Sequence, residues 1–203
     1  MYLVKGRTLA IVDEAVRYDG NISFFDPLEA KFYAFSHKVE LSGETIGKQV
    51  YYSYPTSHGV DNNESIGTFR FSDYPMIEEP FGVITENNDF GITGDLFVEN
   101  LSNPVYYSVP KADRIKFGFA QIIATLEFGT SSAVDVLILY QQTKDIYLFK
   151  IVDDEYLEDY QSILYGMSGS PIVQDGKLIG GVAGASPDYN DIGFMTSIES
   201  IVE

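Results

Sequence analysis

An all-β fold is predicted for this 203-residue chain by three observations. Short segments rich in Val, Ile, Tyr, Phe and Thr recur along its length, most of them bounded by Gly, Pro, Asn or Asp. Long amphipathic helical patterns are nearly absent. Aromatic residues suited to pleated surfaces are abundant, with 15 Tyr and 14 Phe. The segments follow in order. Residues 32–37 alternate, with Phe32, Ala34 and Ser36 opposing Tyr33, Phe35 and His37, as expected of a strand that carries His37 to a cleft rim. Further strands are predicted over 50–54, 67–71, 105–109, 121–128, 134–140 and 146–152. Asp153 then opens a short helix as its N-cap, with acids in the first turn where the helix dipole favours them. The last strands run over 171–173, 178–184 and 193–198, the first two joined by the turn Asp175-Gly176.

Composition limits the function classes. At 45% hydrophobic residues the chain is globular, and its length suffices for one domain of two subdomains with a sizeable core. It contains no cysteine, which excludes disulfides and any Cys-based metal site. A net charge of −17 argues against binding nucleic acid or an anionic membrane surface. No run is long enough to span a bilayer, and no signal-type apolar core follows Met1 to Arg7, so membrane insertion by this chain is not expected. If complete, the chain is expected in the cytoplasm; if cut from a longer anchored protein, outside it. Glu78-Glu79 and the Asp188, Asn190, Asp191 group lack EF-hand spacing and are read as polar turns, so neither metal nor cofactor is expected.

The segment richest in chemistry is Gly166-Met167-Ser168-Gly169-Ser170-Pro171-Ile172. A serine hydroxyl becomes a nucleophile only when a base takes its proton and donors hold the resulting oxyanion. Glycine two positions before the serine permits backbone angles closed to other residues, so the amides of Gly166 and Ser168 can point at one spot. Gly169 and Ser170 leave room for a substrate backbone. A base must come from His37 or His58, the only two histidines. His58 lies in a run dense in turn formers, 55–63, and is expected in a solvated loop; His37 is the better candidate.

These stretches, with Gly20-Asn21-Ile22-Ser23-Phe24-Phe25-Asp26-Pro27 and the Gly180-Gly181-Val182-Ala183-Gly184 strand, are similar to the serine peptidases of the stage IV sporulation protein B type. The resemblance covers roughly residues 18 to 203. It implies a chymotrypsin-like double β-barrel with few short helices, the first barrel to about residue 105 and the second from about 106, the break falling near Asn103-Pro104 or Pro110-Lys111. It implies a catalytic set of His37, Asp153 and Ser168, the acid fifteen positions before the serine. Asp89 and Asp95 are the alternatives if the acid lies in the first barrel. The oxyanion hole would be formed by Gly166 and Ser168, and Val182, Ala183 and Gly184 would line the specificity pocket and pair with a protein or peptide substrate. The implied activity is endopeptidase cleavage through an acyl-enzyme, in a regulatory role of narrow specificity during sporulation or signalling.

The chain departs from that family in three places. Phe35-Ser36 precedes His37 where the family has glycine, Ala183-Gly184-Ala185-Ser186-Pro187 replaces a His-bearing segment, and Tyr160-Gln161-Ser162 stands where Thr-Gly-Gly is usual. A catalytically weak or inactive module binding extended peptides by strand addition is therefore the rival reading.

Overall fold

Alternation of side chains across strands closes the chain into two rings. The computed structural model describes residues 2–4, 6–13, 16–59, 66–71, 79–97, 105–109 and 115–202. The first barrel is built from β2 (Arg7–Asp13), β3 (Val16–Asp26), β4 (Lys31–Ala34), β5 (Gln49–Ser53), β8 (Gly82–Asn88) and β9 (Gly91–Leu96). Antiparallel pairing runs β2-β3-β4-β9-β8-β5 and returns to β2, so no edge is left open. Leu9, Ile11, Ile22, Phe32, Ala34 and Ile92 fill it. The second barrel closes in the order β11 (Gly118–Thr125), β12 (Ser131–Gln141), β13 (Ile146–Ile151), β16 (Ile192–Ser197), β15 (Lys177–Ala185) and β14 (Pro171–Gln174). On β12, Val134, Val136 and Ile138 point inward; on β13, Tyr147, Phe149 and Ile151 do. This two-residue period was legible in the sequence.

A bulge in β3 supplies the layer between the barrels. The register slips between Ile22 and Phe24, so Ile22 and Phe25 enter the first core while Phe24 faces outward. Phe24 stacks on Tyr33 at 4.4 Å and packs with Val173, Leu178 and Ile198 from the second half. Burying side chains of this size contributes about 1.5–3 kcal/mol each, and this apolar seam holds the barrels together.

The remaining elements lie outside the rings. β1 (Tyr2–Val4) pairs with β3 and with β10 (Val105–Tyr107). Helices are short: α1 (Asp154–Tyr160), α2 (Ile198–Val202) and a 3₁₀ turn at Glu127–Gly129. A two-stranded hairpin, β6 (Pro55–Gly59) with β7 (Thr68–Phe71), leaves the first barrel after β5 and lies on the second. The all-β double barrel is thus the observed fold. The expected break near Asn103-Pro104 or Pro110-Lys111 lies outside the described residues.

Two local expectations are corrected. β4 stops at Ala34, and Phe35 and Ser36 take positive φ values of 71° and 56°. The alternation predicted through His37 therefore fails, and Phe35 turns into the core beside Ala34. His58 lies on strand β6 rather than in a solvated loop, with Nδ1 2.5 Å from Glu127 Oε1.

Candidate active site

Ser168 sits in the loop between α1 and β14, whose shape is set by two glycines in the left-handed region, Gly166 at φ 101° and Gly169 at φ 90°. A Cβ on Gly169 would stand 2.2 Å from the Asn21 carbonyl oxygen and 2.5 Å from the Phe35 amide. Only glycine allows the first barrel to press this close. Met167, between the glycine and the serine, points inward and is 1% exposed. Its Sδ receives the Tyr156 hydroxyl at 3.2 Å.

Much of the loop backbone is engaged by hydrogen bonds within the protein. Asn21 N–H donates to the Ser168 carbonyl at 2.7 Å, and Asn21 Nδ2 donates to the Gly166 carbonyl at 2.7 Å. Gly169 N–H donates to the Val182 carbonyl, Ser170 N–H to the Met167 carbonyl and Met167 N–H to the Leu164 carbonyl. Among the described residues, the amides of Gly166 and Ser168 donate to no protein acceptor. Two free donors one residue apart, flanking a buried side chain, are suited to receiving an anion.

His37 reaches the same cleft from the first barrel. The left-handed Phe35 and Ser36 carry it there, a conformation costing about 1–2 kcal/mol per residue. That cost is offset by three contacts. Phe35 N–H donates to the Asn21 carbonyl at 3.1 Å, Thr196 Oγ1 donates to the Ser36 carbonyl at 2.8 Å, and Ser36 Oγ lies 3.2 Å from Ser23 Oγ. His37 Nδ1 is 2.8 Å from the Lys38 carbonyl oxygen. A carbonyl only accepts, so Nδ1 carries the hydrogen and Nε2 keeps a lone pair in the neutral ring.

His37 and Ser168 line one cleft of about 250 Å³. Ile163, Leu164 and Tyr165 form one wall; Val182 through Ala185 form another. The backbone of Val182 is spent within the protein, its carbonyl on Gly169 and its amide on Ser170. A bulge opposes Val182 and Gly184 to the adjacent residues Met195 and Phe194, leaving Ala183 out of the β15–β16 ladder. Ala183, and Gly184 with open space at its Cβ position, are the parts of this strand available to an incoming chain.

Asp153 is not brought to His37. Its Oδ1 accepts from Tyr156 N at 2.9 Å as the cap of α1, and its Oδ2 accepts from Asp135 N at 3.2 Å. It lines a separate cavity with Tyr156, Asp159 and Tyr160. The spacing from the serine is met, but the carboxylate closes a helix end, and the Lys38 carbonyl occupies the place beside Nδ1. Asp89 and Asp95 are both exposed on the β8–β9 hairpin, and neither bonds to His37. Asn21 escaped the sequence reading, since a lone Asn next to glycine on a strand carries no signal of contacts in another barrel.

Two antiparallel six-stranded barrels, with a serine on a glycine-shaped loop facing a histidine across the cleft, define a serine-type peptidase of the chymotrypsin-like fold. The chain belongs to the SpoIVB peptidase S55 family, whose model matches residues 9–202. Among solved structures it is similar to the active form of the Rv3671c protease from M. tuberculosis, at 15% identity and a TM-score of 0.60, over 97% of this chain and 77% of that one. The inactive form of the same protease matches at 13% identity and a TM-score of 0.53, over 96% of this chain and 85% of that one. No curated protein matches the sequence significantly.

Proposed function

We propose that the chain is an endopeptidase of narrow specificity that works through an acyl-enzyme on Ser168, with His37 as the base. Nε2 of His37 takes the Ser168 proton as Oγ attacks a peptide carbonyl, and the Gly166 and Ser168 amides receive the oxyanion. His37 then protonates the leaving amine. Water, deprotonated by the same ring, releases the acyl group and restores Ser168. The Lys38 carbonyl fixes the tautomer and orientation of the ring, a task often left to a carboxylate. The observation carrying this reading is the placement of His37 and Ser168 on one cleft beside two unengaged amides.

An extended substrate would lie along Ala183 and Gly184, its side chain before the scissile bond meeting Ile163 and Leu164. Among the described residues no Asp, Glu, Lys or Arg lines this cleft, which favours an apolar residue there. A cleft of this size limits the side chains it takes, in keeping with cleavage of a few protein partners in a regulatory or sporulation role. The test is hydrolysis of a folded-protein and peptide panel by wild type and Ser168→Ala. Hydrolysis abolished by the substitution supports the assignment; equal rates would overturn it.

One observation favours the rival reading, an inactive module that binds extended peptides. Among the described residues no hydrogen bond joins Ser168 to His37, and no carboxylate backs the ring. Peptide binding that survives replacement of both residues, without hydrolysis by wild type, would favour it.

A further inference from the structure

The β6–β7 hairpin belongs to neither barrel ring, yet it touches the backbone that would form the oxyanion hole. Tyr165 N–H donates to the Gly67 carbonyl at 2.9 Å, and Phe69 N–H donates to the Tyr165 carbonyl at 3.0 Å. Thr68 and Tyr165 form a parallel bridge. A trans peptide holds its C=O and N–H on opposite sides. With the Tyr165 carbonyl held towards Phe69, the Gly166 N–H of the same peptide is turned away from the hairpin. Rotation of this one plane would exchange the donor for a carbonyl oxygen, which would repel an oxyanion. Glycine at 166 makes such a rotation sterically easy. The hairpin side chains also bear on Gly166, where a Cβ would lie 2.9 Å from Phe71 Cε2 and 3.3 Å from Phe69 Cβ.

The hairpin is itself anchored by His58. Its Nδ1 is 2.5 Å from Glu127 Oε1 on the 3₁₀ turn, and its Nε2 is 3.2 Å from the Asp159 carbonyl on α1. Its ring lies 4.6 Å from that of Tyr160. Both nitrogens thus face acceptors, and only the imidazolium can donate to both. Among the described residues, Glu127, Asp159 and Tyr160 are the titratable groups that meet it.

We propose that the β6–β7 hairpin holds the Tyr165–Gly166 peptide in its oxyanion-binding orientation, and that His58 is the positioning residue that anchors it. This rests on the serine-peptidase mechanism above and adds to it a route of control. Whatever lifts the hairpin from Glu127 and α1 disarms the hole without touching Ser168 or His37.

The test compares wild type, His58→Phe, Glu127→Ala and Glu127→Gln on one peptide substrate, with a thermal melt of each. Phenylalanine keeps the tilted ring contact with Tyr160 and loses both polar contacts. His58→Phe and Glu127→Ala are expected to lower kcat at least about tenfold, approaching the roughly 10²–10³ lost when an oxyanion donor is removed outright, with KM changed less than about threefold. Glu127→Gln recovers much of the loss, since its amide oxygen still accepts. Unchanged kcat in the variants of an active wild type would overturn the hairpin's role, as would a loss that merely follows the fraction unfolded. A wild type that cleaves nothing would instead overturn the peptidase mechanism underneath.

Discussion

Asn21 in the first barrel holds the loop around Ser168 in the second, its side chain donating to the Gly166 carbonyl and its amide to the Ser168 carbonyl, each at 2.7 Å. Through its own carbonyl it also receives the Phe35 amide, two residues before His37. One residue therefore ties the nucleophile loop to the turn that carries the base. The catalytic distance between the halves depends on this tie as much as on the apolar seam.

Asn21→Ala is expected to leave the part-buried Gly166 carbonyl without its side-chain donor, costing about 1 kcal/mol of stability and lowering kcat more than it raises KM. Asn21→Asp is the sharper variant. An aspartate cannot donate, and its charge would face a carbonyl, so it should be the worse of the two at neutral pH. As pH falls the carboxyl gains a proton and can donate, so the difference should shrink. Denaturant titrations and steady-state kinetics over that range check both; equal behaviour of the two variants would count against the tie.

Asp153 is assigned to the helix by its bonds to Tyr156 N and Asp135 N. Asp153→Ala should cost about 1 kcal/mol, the usual worth of an N-cap, and leave kcat/KM within about threefold of wild type. A fall of about 10⁴ in kcat, the size seen when a triad aspartate is changed, would return it to the catalytic set.

Two buried tyrosines set the alkaline limit of stability. Burial, with Tyr160 and Asp153 nearby, pushes the Tyr156 hydroxyl up. Burial, with Tyr2, Asp26, Glu29 and Glu86 nearby, pushes Tyr33 up to about 12. Both are raised above the unfolded value near 10. Their contribution is therefore fully present below about pH 10 and lost as pH climbs through the folded values. Tyr156→Phe removes the bond to the Ser162 carbonyl, costing about 1 kcal/mol at neutral pH, and should flatten the alkaline decline. Urea melts at a series of alkaline pH values test this; an unchanged slope would contradict it.

The barrel strands and the Ser168 loop were legible because their signals are local. Val134, Val136 and Ile138 repeat every second residue, and the glycines at 166 and 169 mark a backbone no other residue follows. The turn before His37 was not legible. Phe35 and Ser36 continue the apolar-polar alternation of β4, and only contacts from Asn21, Ser23 and Thr196, distant in sequence, hold them left-handed. His58 was misread for a similar reason. Its neighbours are turn formers, while its partners Glu127 and Asp159 come from the other barrel. At Asp153 the helix start was legible locally, and the structure bears out its N-cap role.

The most direct measurement is labelling by a fluorophosphonate probe of wild type, Ser168→Ala and His37→Ala, each confirmed folded by its melt. Labelling of wild type that is lost in both variants is the predicted result. A folded wild type that takes no label, or a His37→Ala variant labelled as fast as wild type, would contradict an activated Ser168 with His37 as its base.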